Sequence, residues 1–395
     1  MRKRRMPTVY LDNAATTFPK PQGVVLETAR ILRYGCGNPG RSSHRISMRA
    51  AETVYGCRRR VAELFGGSDE NVVFTSSATH SLNLGIKTAL RKGDHVLISD
   101  IEHNSVIRPI SALSERGLIT FDTYRADSDP AKVLSEISGR FRPNTSMVIA
   151  CHHSNICNLL QPIGAIGELC RRRGIIFLVD ASQSAGTVPI NVKNDGVDIL
   201  CAPGHKGLYG IPGSGVTVFG ERFSELVDGS RSLSTFMEGG NGIRSRESAM
   251  PDFLPERLEA GTLAVPAIGA LGAGIDFVNG VGMRAVALHE KRLFRRLLRG
   301  FTAFGDRIRV YGDGAEGGIC LFSLEGMSAE EVAERLDGYG ICVRAGLHCA
   351  PTAHKRLGTP DDGAVRVSFG AFNGARDVDR LLNALDVISG YRART

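Results

Sequence analysis

The chain has 395 residues, 42% of them hydrophobic and 23% charged, with a formal net charge of +8. Single cores stop growing at roughly 250–300 residues, so this length calls for two domains, and the composition excludes a disordered or fibrous chain. The basic residues fall in short scattered runs, Arg2–Arg5, Arg58–Arg60 and Arg171–Arg173, without interleaved aromatics, which argues for solvated helix faces and against nucleic acid as a partner.

The N-terminus is basic but runs into Pro7, Asp12 and Asn13 with no apolar stretch behind it, so no signal peptide is expected. No segment offers the ~20 apolar residues of a membrane span. The nine cysteines lack the spacing of a disulfide framework and contain no CxxC pair, so a reducing cytoplasm is expected and no metal site.

From Asn71 to Gly220, apolar runs alternate with segments of helical period: Val72–Thr75, His95–Ser99, Met147–His152, Ile175–Val179, Ile199–Ala202 and Gly215–Phe219. Continuous apolar strands separated by helices predict an α/β domain with a parallel sheet covered on both faces. Ligands of such sheets bind beyond the carboxyl ends of the strands, where this sequence is polar: Thr75–Thr79, Asp100–Asn104, His152–Asn155, Asp180–Gln183 and Gly204–Lys206. After Gly261 the pattern changes to helices over Val265–Asn279, Ala285–Phe301, Ala329–Asp337 and Asp377–Ile388. Short strands are expected near Arg307–Tyr311, Gly318–Leu324 and Ile341–Ala345, the pattern of a smaller α+β domain. The expected division is an N-terminal segment 1–20 packing with the small domain, a large domain over 21–262 and a small domain over 263–395.

Five constellations carry chemistry. Ser76-Ser77-Ala78-Thr79 follows a strand and opens a helix, an arrangement that binds phosphate or simply caps the helix. Glu102-His103-Asn104-Ser105 places an imidazole after a strand, where it can stack on a planar ring and move protons, or be incidental. Val179-Asp180-Ala181-Ser182-Gln183 delivers a carboxylate that can pair with a protonated ring nitrogen or cap the next helix. Pro203-Gly204-His205-Lys206-Gly207 sets a lysine where it can attack a carbonyl, although alone it also fits a surface turn, and no P-loop is present. Arg344-Ala345-Gly346-Leu347-His348-Cys349-Ala350, with Arg366 beyond it, offers a thiol beside the cations Arg344 and His348 and a guanidinium able to clamp a carboxylate, or else an inert buried cysteine.

Together these segments resemble the cysteine desulfurase and selenocysteine lyase family of the class V aminotransferase fold. The likeness runs along nearly the whole chain, through Tyr10-Leu11-Asp12-Asn13-Ala14-Ala15-Thr16-Thr17, Asn38-Pro39-Gly40-Arg41 with His44, His153-Ser154-Asn155 and Glu259-Ala260-Gly261-Thr262 besides the constellations above. The resemblance implies the fold type I of pyridoxal 5'-phosphate enzymes, a homodimer, and conversion of L-cysteine to L-alanine with sulfur passed to an acceptor protein. Selenocysteine lyase, or another reaction of this fold on a small amino acid, is the alternative.

Position by position, the resemblance implies Lys206 as the Schiff-base lysine, Asp180 at the pyridinium nitrogen, Gln183 at the phenolic oxygen and His103 stacked on the ring. Ala78, Thr79 and His205 would contact the phosphate, with Thr262 reaching it from a second subunit. Asn13, Ala15, Asn155, Arg344 and Arg366 would hold the substrate. Cys349 would be the nucleophile, with His348 or His103 handling protons. The short segment before Cys349 is similar to the selenocysteine lyase-like group, and it implies that an acceptor must dock closely. Four positions depart from the family pattern: Pro203 for a Ser or Thr, Gly210-Ile211-Pro212-Gly213 for Gly-Pro-x-Gly, Asn158 for a Gly, and Leu347 for the first of two histidines.

Overall fold

The computed structural model describes residues 8–40, 43–223, 233–312 and 317–390. The Arg2–Arg5 run and Arg41 lie outside them. The described chain forms two compact units: one contains residues 8–19, 153–160 and 284–390, the other the remainder from Lys20 to His152 and Gln161 to Met283. This corrects the boundary expected at residue 262. The helix Val265–Val281 is apolar on most of its surface, with Val265, Ile268, Leu271 and Ile275 in the core of the larger unit, so it belongs there.

The strands in chain order are β1 (Val9–Tyr10), β2 (Val72–Thr75), β3 (Asp94–Ser99), β4 (Ile119–Tyr124), β5 (Thr145–Cys151), β6 (Ile176–Asp180), β7 (Ile199–Pro203) and β8 (Gly215–Phe219), then β9 (Ile308–Tyr311), β10 (Ile319–Leu324), β11 (Ile341–Cys342), β12 (Arg344–Gly346) and β13 (Ala364–Ser368). In the larger unit β2 to β8 make one sheet of order β2-β8-β7-β6-β5-β3-β4. The pairs β3–β4, β3–β5, β5–β6 and β6–β7 are parallel, whereas β8 runs antiparallel to both β2 and β7. No helix separates Pro203 from Gly215, so the chain turns back through a loop instead of crossing over.

Alternate strand residues enter two cores, as the two-residue period of a strand requires. Phe177, Val179, Leu200 and Val218 face one, under the helices Arg45–Phe65, Ile163–Arg173 and Val265–Val281. Ile176, Leu178, Ile199 and Phe219 face the other, under Ala78–Ala89 and Asn104–Glu115. β4 has no counterpart among the expected strands because it is an edge strand with Thr120 and Thr123 exposed, so its apolar run is broken.

In the smaller unit the sheet is β12-β13-β10-β9, and β1 pairs in parallel with β11. β13 was not among the expected strands because Arg366 interrupts its apolar run, yet Arg366 is 1% exposed. Asn158, standing where the family favours glycine, adopts φ 53°, and its side chain bonds both the N–H and the carbonyl of Ile319. The amide group thereby extends the backbone ladder and holds the left-handed residue in place.

The larger unit also buries an ion pair. Arg58 meets Glu259 at 2.9 Å, Glu259 Oε1 accepts from Phe74 N at 2.7 Å, and Arg58 donates to the Val72 carbonyl. Removing one partner of such a pair leaves an uncompensated charge, so Arg58→Met should cost about 3–5 kcal/mol. The check is the denaturant midpoint, where a variant matching the parent would show that Glu259 needs no partner.

Candidate active site

β2 and β7 are each antiparallel to β8 and therefore parallel to each other, so β2, β3, β5, β6 and β7 all end at the same edge of the sheet. Every candidate cofactor residue of the larger unit except Thr262 follows one of those ends. Close approach there depends on Gly215, where a Cβ would lie 2.6 Å from the Ser77 backbone. This lets the end of β2 sit against β8, with Thr75 and Pro203 flanking Gly215 in register.

The helix Ala78–Ala89 begins at this edge, with Ser77 capping it by accepting from His80 N. Thr79 Oγ1 lies 2.7 Å from Ser105 Oγ, which lies 2.9 Å from His103 Nδ1. His103 Nδ1 also accepts from Ser105 N at 3.1 Å, which leaves the ring proton on Nε2. Ser105 thus joins the phosphate candidate Thr79 to the imidazole of His103, a link that the local sequence does not reveal.

Asp180 ends β6 and is 3% exposed. Its Oδ1 accepts from Ser182 N at 2.9 Å. A buried acidic side chain at a strand end suits a cationic N–H donor such as a pyridinium nitrogen. Burial, together with Lys206 and Lys20, pushes His205 down to about 4, so it is a neutral imidazole. Lys20 donates to the His205 carbonyl at 2.9 Å, and burial lowers its ammonium to about 8; nothing in its local sequence marked it. Lys206 and Gln183 are half-buried on the same edge, and Thr262 is exposed, with its hydroxyl 3.5 Å from Asn38 Nδ2.

Beneath the edge lies Glu102, fully buried. Its Oε1 accepts from Ser99 Oγ at 2.5 Å and Cys151 N at 2.6 Å, while Oε2 has no partner among the described residues. Burial, with Asp180 nearby, raises its carboxyl to about 8.

In the smaller unit, Arg366 on β13 bonds Asp12 Oδ1 at 2.7 Å and the Asn155 carbonyl at 3.3 Å. Its Nε, and Oδ1 of Asn155, are buried without a partner among the described residues. Asp12 thus anchors one edge of the guanidinium, a role the sequence reading had not assigned. Asn155 Nδ2 donates to the His348 carbonyl at 3.0 Å. Asn13 is engaged with the Ser368 carbonyl and Asn373 and shapes the backbone beside Arg366, and Ala15 lies in the turn that follows.

Cys349 is exposed, and Arg344 Nη2 donates toward its sulfur at 3.9 Å. His348 and Cys349 have φ of 50° and 55°, and Ala350 N closes the turn on the Leu347 carbonyl at 2.9 Å. Each left-handed non-glycine residue costs about 1–3 kcal/mol, so the surroundings must enforce the turn. The charge expected of His348 is absent: burial, with the Arg366 guanidinium nearby, holds its imidazole far below its usual range, and both ring nitrogens are engaged within the unit. Arg344 remains the cation beside the sulfur.

A cavity of about 570 Å³ between the helices Gln22–Tyr34, Arg45–Phe65 and Val265–Val281 contains none of these residues; Arg30, Arg49, Arg60, Glu27, Glu52 and Asp276 line it.

The family model for aminotransferase class V matches residues 9–381. The chain is 31% identical to a probable cysteine desulfurase of Methanothermobacter thermautotrophicus, over 97% of this chain and 95% of that protein. It is 32% identical to a cysteine desulfurase of Klebsiella pneumoniae, over 97% and 93%. Among solved structures it is similar to the apo cysteine desulfurase of Thermococcus onnurineus, with a TM-score of 0.86 and 29% identity over 97% of this chain and 95% of that one.

The raised carboxyl of Glu102 has a thermodynamic signature. Folding holds its proton up to about pH 8, whereas the unfolded chain releases it near the ordinary carboxylate value, so its contribution to stability is present at low pH and is lost as pH rises through that window. Glu102→Gln does not titrate and should gain melting temperature over the parent progressively between about pH 5 and 8. A gap that is constant with pH would mean that Glu102 is charged in the native state.

Proposed function

Because the chain belongs to the class V aminotransferase family and is similar along its whole length to cysteine desulfurases, we propose that it is a pyridoxal 5'-phosphate enzyme that takes sulfur from L-cysteine and leaves L-alanine. The observation that carries the reading is the contrast among its thiols. Cys349 is exposed with a guanidinium along its sulfur, whereas burial drives Cys57 and Cys320 up to about 12 and Cys201 well above its ordinary value, leaving them inert.

Lys206 would hold the cofactor, Asp180 its ring nitrogen, Gln183 its phenolic oxygen and His103 its ring face. The N-terminus of Ala78–Ala89, with Thr79 and the neutral His205, would hold the phosphate. When bound, the cofactor supplies an electron sink for the substrate α-carbon. Arg366, fixed by Asp12, binds the substrate carboxylate together with Asn155. The Lys206 amine moves the α-proton. The Cys349 thiolate attacks the substrate sulfur; the carbon–sulfur bond breaks, its electron pair stays with carbon, and that carbon takes up a proton. Thiol and cysteine become persulfide and alanine, with no external oxidant or reductant.

Delivery to an acceptor protein completes the proposal. The four-residue turn Leu347–Ala350 has no reach of its own, so the acceptor must come to Cys349. A homodimer is part of the reading. Val25, Leu26, Leu32 and Tyr34 on one helix and Ile46, Met48 and Tyr55 on the next are exposed, which suits burial against a second copy, and exposed Thr262 suits a contribution to that copy's phosphate. All nine cysteines are free and no single described helix is long and apolar enough to cross a membrane, in keeping with action in the cytoplasm.

The test is alanine and sulfide release from L-cysteine by cofactor-loaded protein, with L-selenocysteine in parallel. Cys349→Ala should end cysteine turnover, and Lys206→Ala should lower it to about a hundredth or less. Turnover of selenocysteine alone, or an unaffected Cys349→Ala variant, would replace the desulfurase with a lyase on the same cofactor.

A further inference from the structure

The turn that carries Cys349 is held by a second histidine. Arg344 O can only accept, so the His348 Nε2–H must donate to it at 3.2 Å, which leaves a lone pair on His348 Nδ1. That lone pair faces His354 Nε2 at 3.2 Å, so His354 carries its proton on Nε2; His354 Nδ1 then accepts from the Thr359 hydroxyl at 2.9 Å. Donation runs one way, from Thr359 to His354 to His348 to the Arg344 carbonyl. Both imidazoles are buried, at 3% and 2% exposure, and stacked 11° from parallel with centroids 5.4 Å apart. With these tautomers, a proton added to His348 Nδ1 would set its N–H against that of His354 Nε2. Burial and the Arg366 guanidinium prevent this by lowering His354 to about 4 and His348 further.

We propose that His354, oriented by Thr359, is a positioning residue for Cys349: by fixing the His348 ring it enforces the left-handed turn that presents the thiol. Two consecutive left-handed positions normally call for Asn or Gly, and here they are held by His348 and Cys349. The compensating forces are the histidine chain on one side and the bond from Asn155 to the His348 carbonyl on the other. The helix that follows, Pro351–Leu357, supplies His354 three residues after Pro351, and His354 N bonds the Ala350 carbonyl at 3.1 Å, tying the ring to the end of the turn. In this arrangement His348 transmits orientation and moves no proton. The kinetic consequence rests on the desulfurase reading; the structural one does not.

Three variants of the full-length, cofactor-loaded protein separate the two. Peptide-level hydrogen exchange over residues 345–352 reads the turn directly. His354→Leu should exchange there at least about tenfold faster than the parent, while His354→Gln, whose side-chain amide can still donate to His348 Nδ1, should stay close to it. Thr359→Val, which leaves both rings in place and guards against a misfolded Leu variant, should fall between. With L-cysteine as substrate, His354→Leu should lose about 100-fold in kcat with KM unchanged, because a displaced nucleophile fails after substrate is bound; His354→Gln should recover most of it. Unchanged exchange in both His354→Leu and Thr359→Val overturns the proposal, as does a His354→Gln variant as impaired as His354→Leu. A parent protein that turns over no cysteine removes the desulfurase reading and leaves the exchange comparison to decide the positioning role.

Discussion

A parallel strand must return to the start of its sheet before the next can pair, so its carboxyl end is always followed by a loop on the same edge. In the larger unit this constraint brings Thr79, His103, Asp180 and Lys206 out on one side although they are spread over more than a hundred residues of sequence. The exception, β8, obeys the same logic in reverse. With no crossover helix available it comes back antiparallel, and the loop Gly204–Ser214 that carries Lys206 is the connection it leaves behind.

Burial then decides what each polar group can be. Asp180 and Glu102 are both buried acids, yet their surroundings differ: Asp180 sits at the strand end with Oδ1 accepting from Ser182 N, whereas Glu102 lies beneath it, raised to about 8 by desolvation and by Asp180 itself. Two acids close together in a low-dielectric core are cheapest when one keeps its proton. Of the two, Glu102 is the acid that burial holds protonated.

The smaller unit solves a different problem, which is to present an exposed thiol in a fixed direction. It does so with groups that are themselves buried. Arg366 is held by Asp12, Asn155 reaches the carbonyl of His348, and His348 is locked by His354. A long mobile loop would leave the thiol many directions; a four-residue turn with two left-handed residues leaves it one, and its strain is borne by hydrogen bonds out of reach of water.

Sequence alone determined the α/β class, six of the seven strands of the large sheet, the family, and the residue types at the strand ends, because apolar runs and the glycine and polar residues after them are local signals. It did not show β4 or β13, where an edge position and the buried Arg366 break the apolar pattern that a strand is read from. Tertiary structure decided the rest. It assigned Val265–Val281 to the larger unit, reversed β8, and gave Asp12, Lys20, Glu102, Ser105 and His354 their partners. It also took the charge from His348. Each of these depends on which groups lie within hydrogen-bond distance and how far they are from water, and a one-dimensional pattern holds neither quantity.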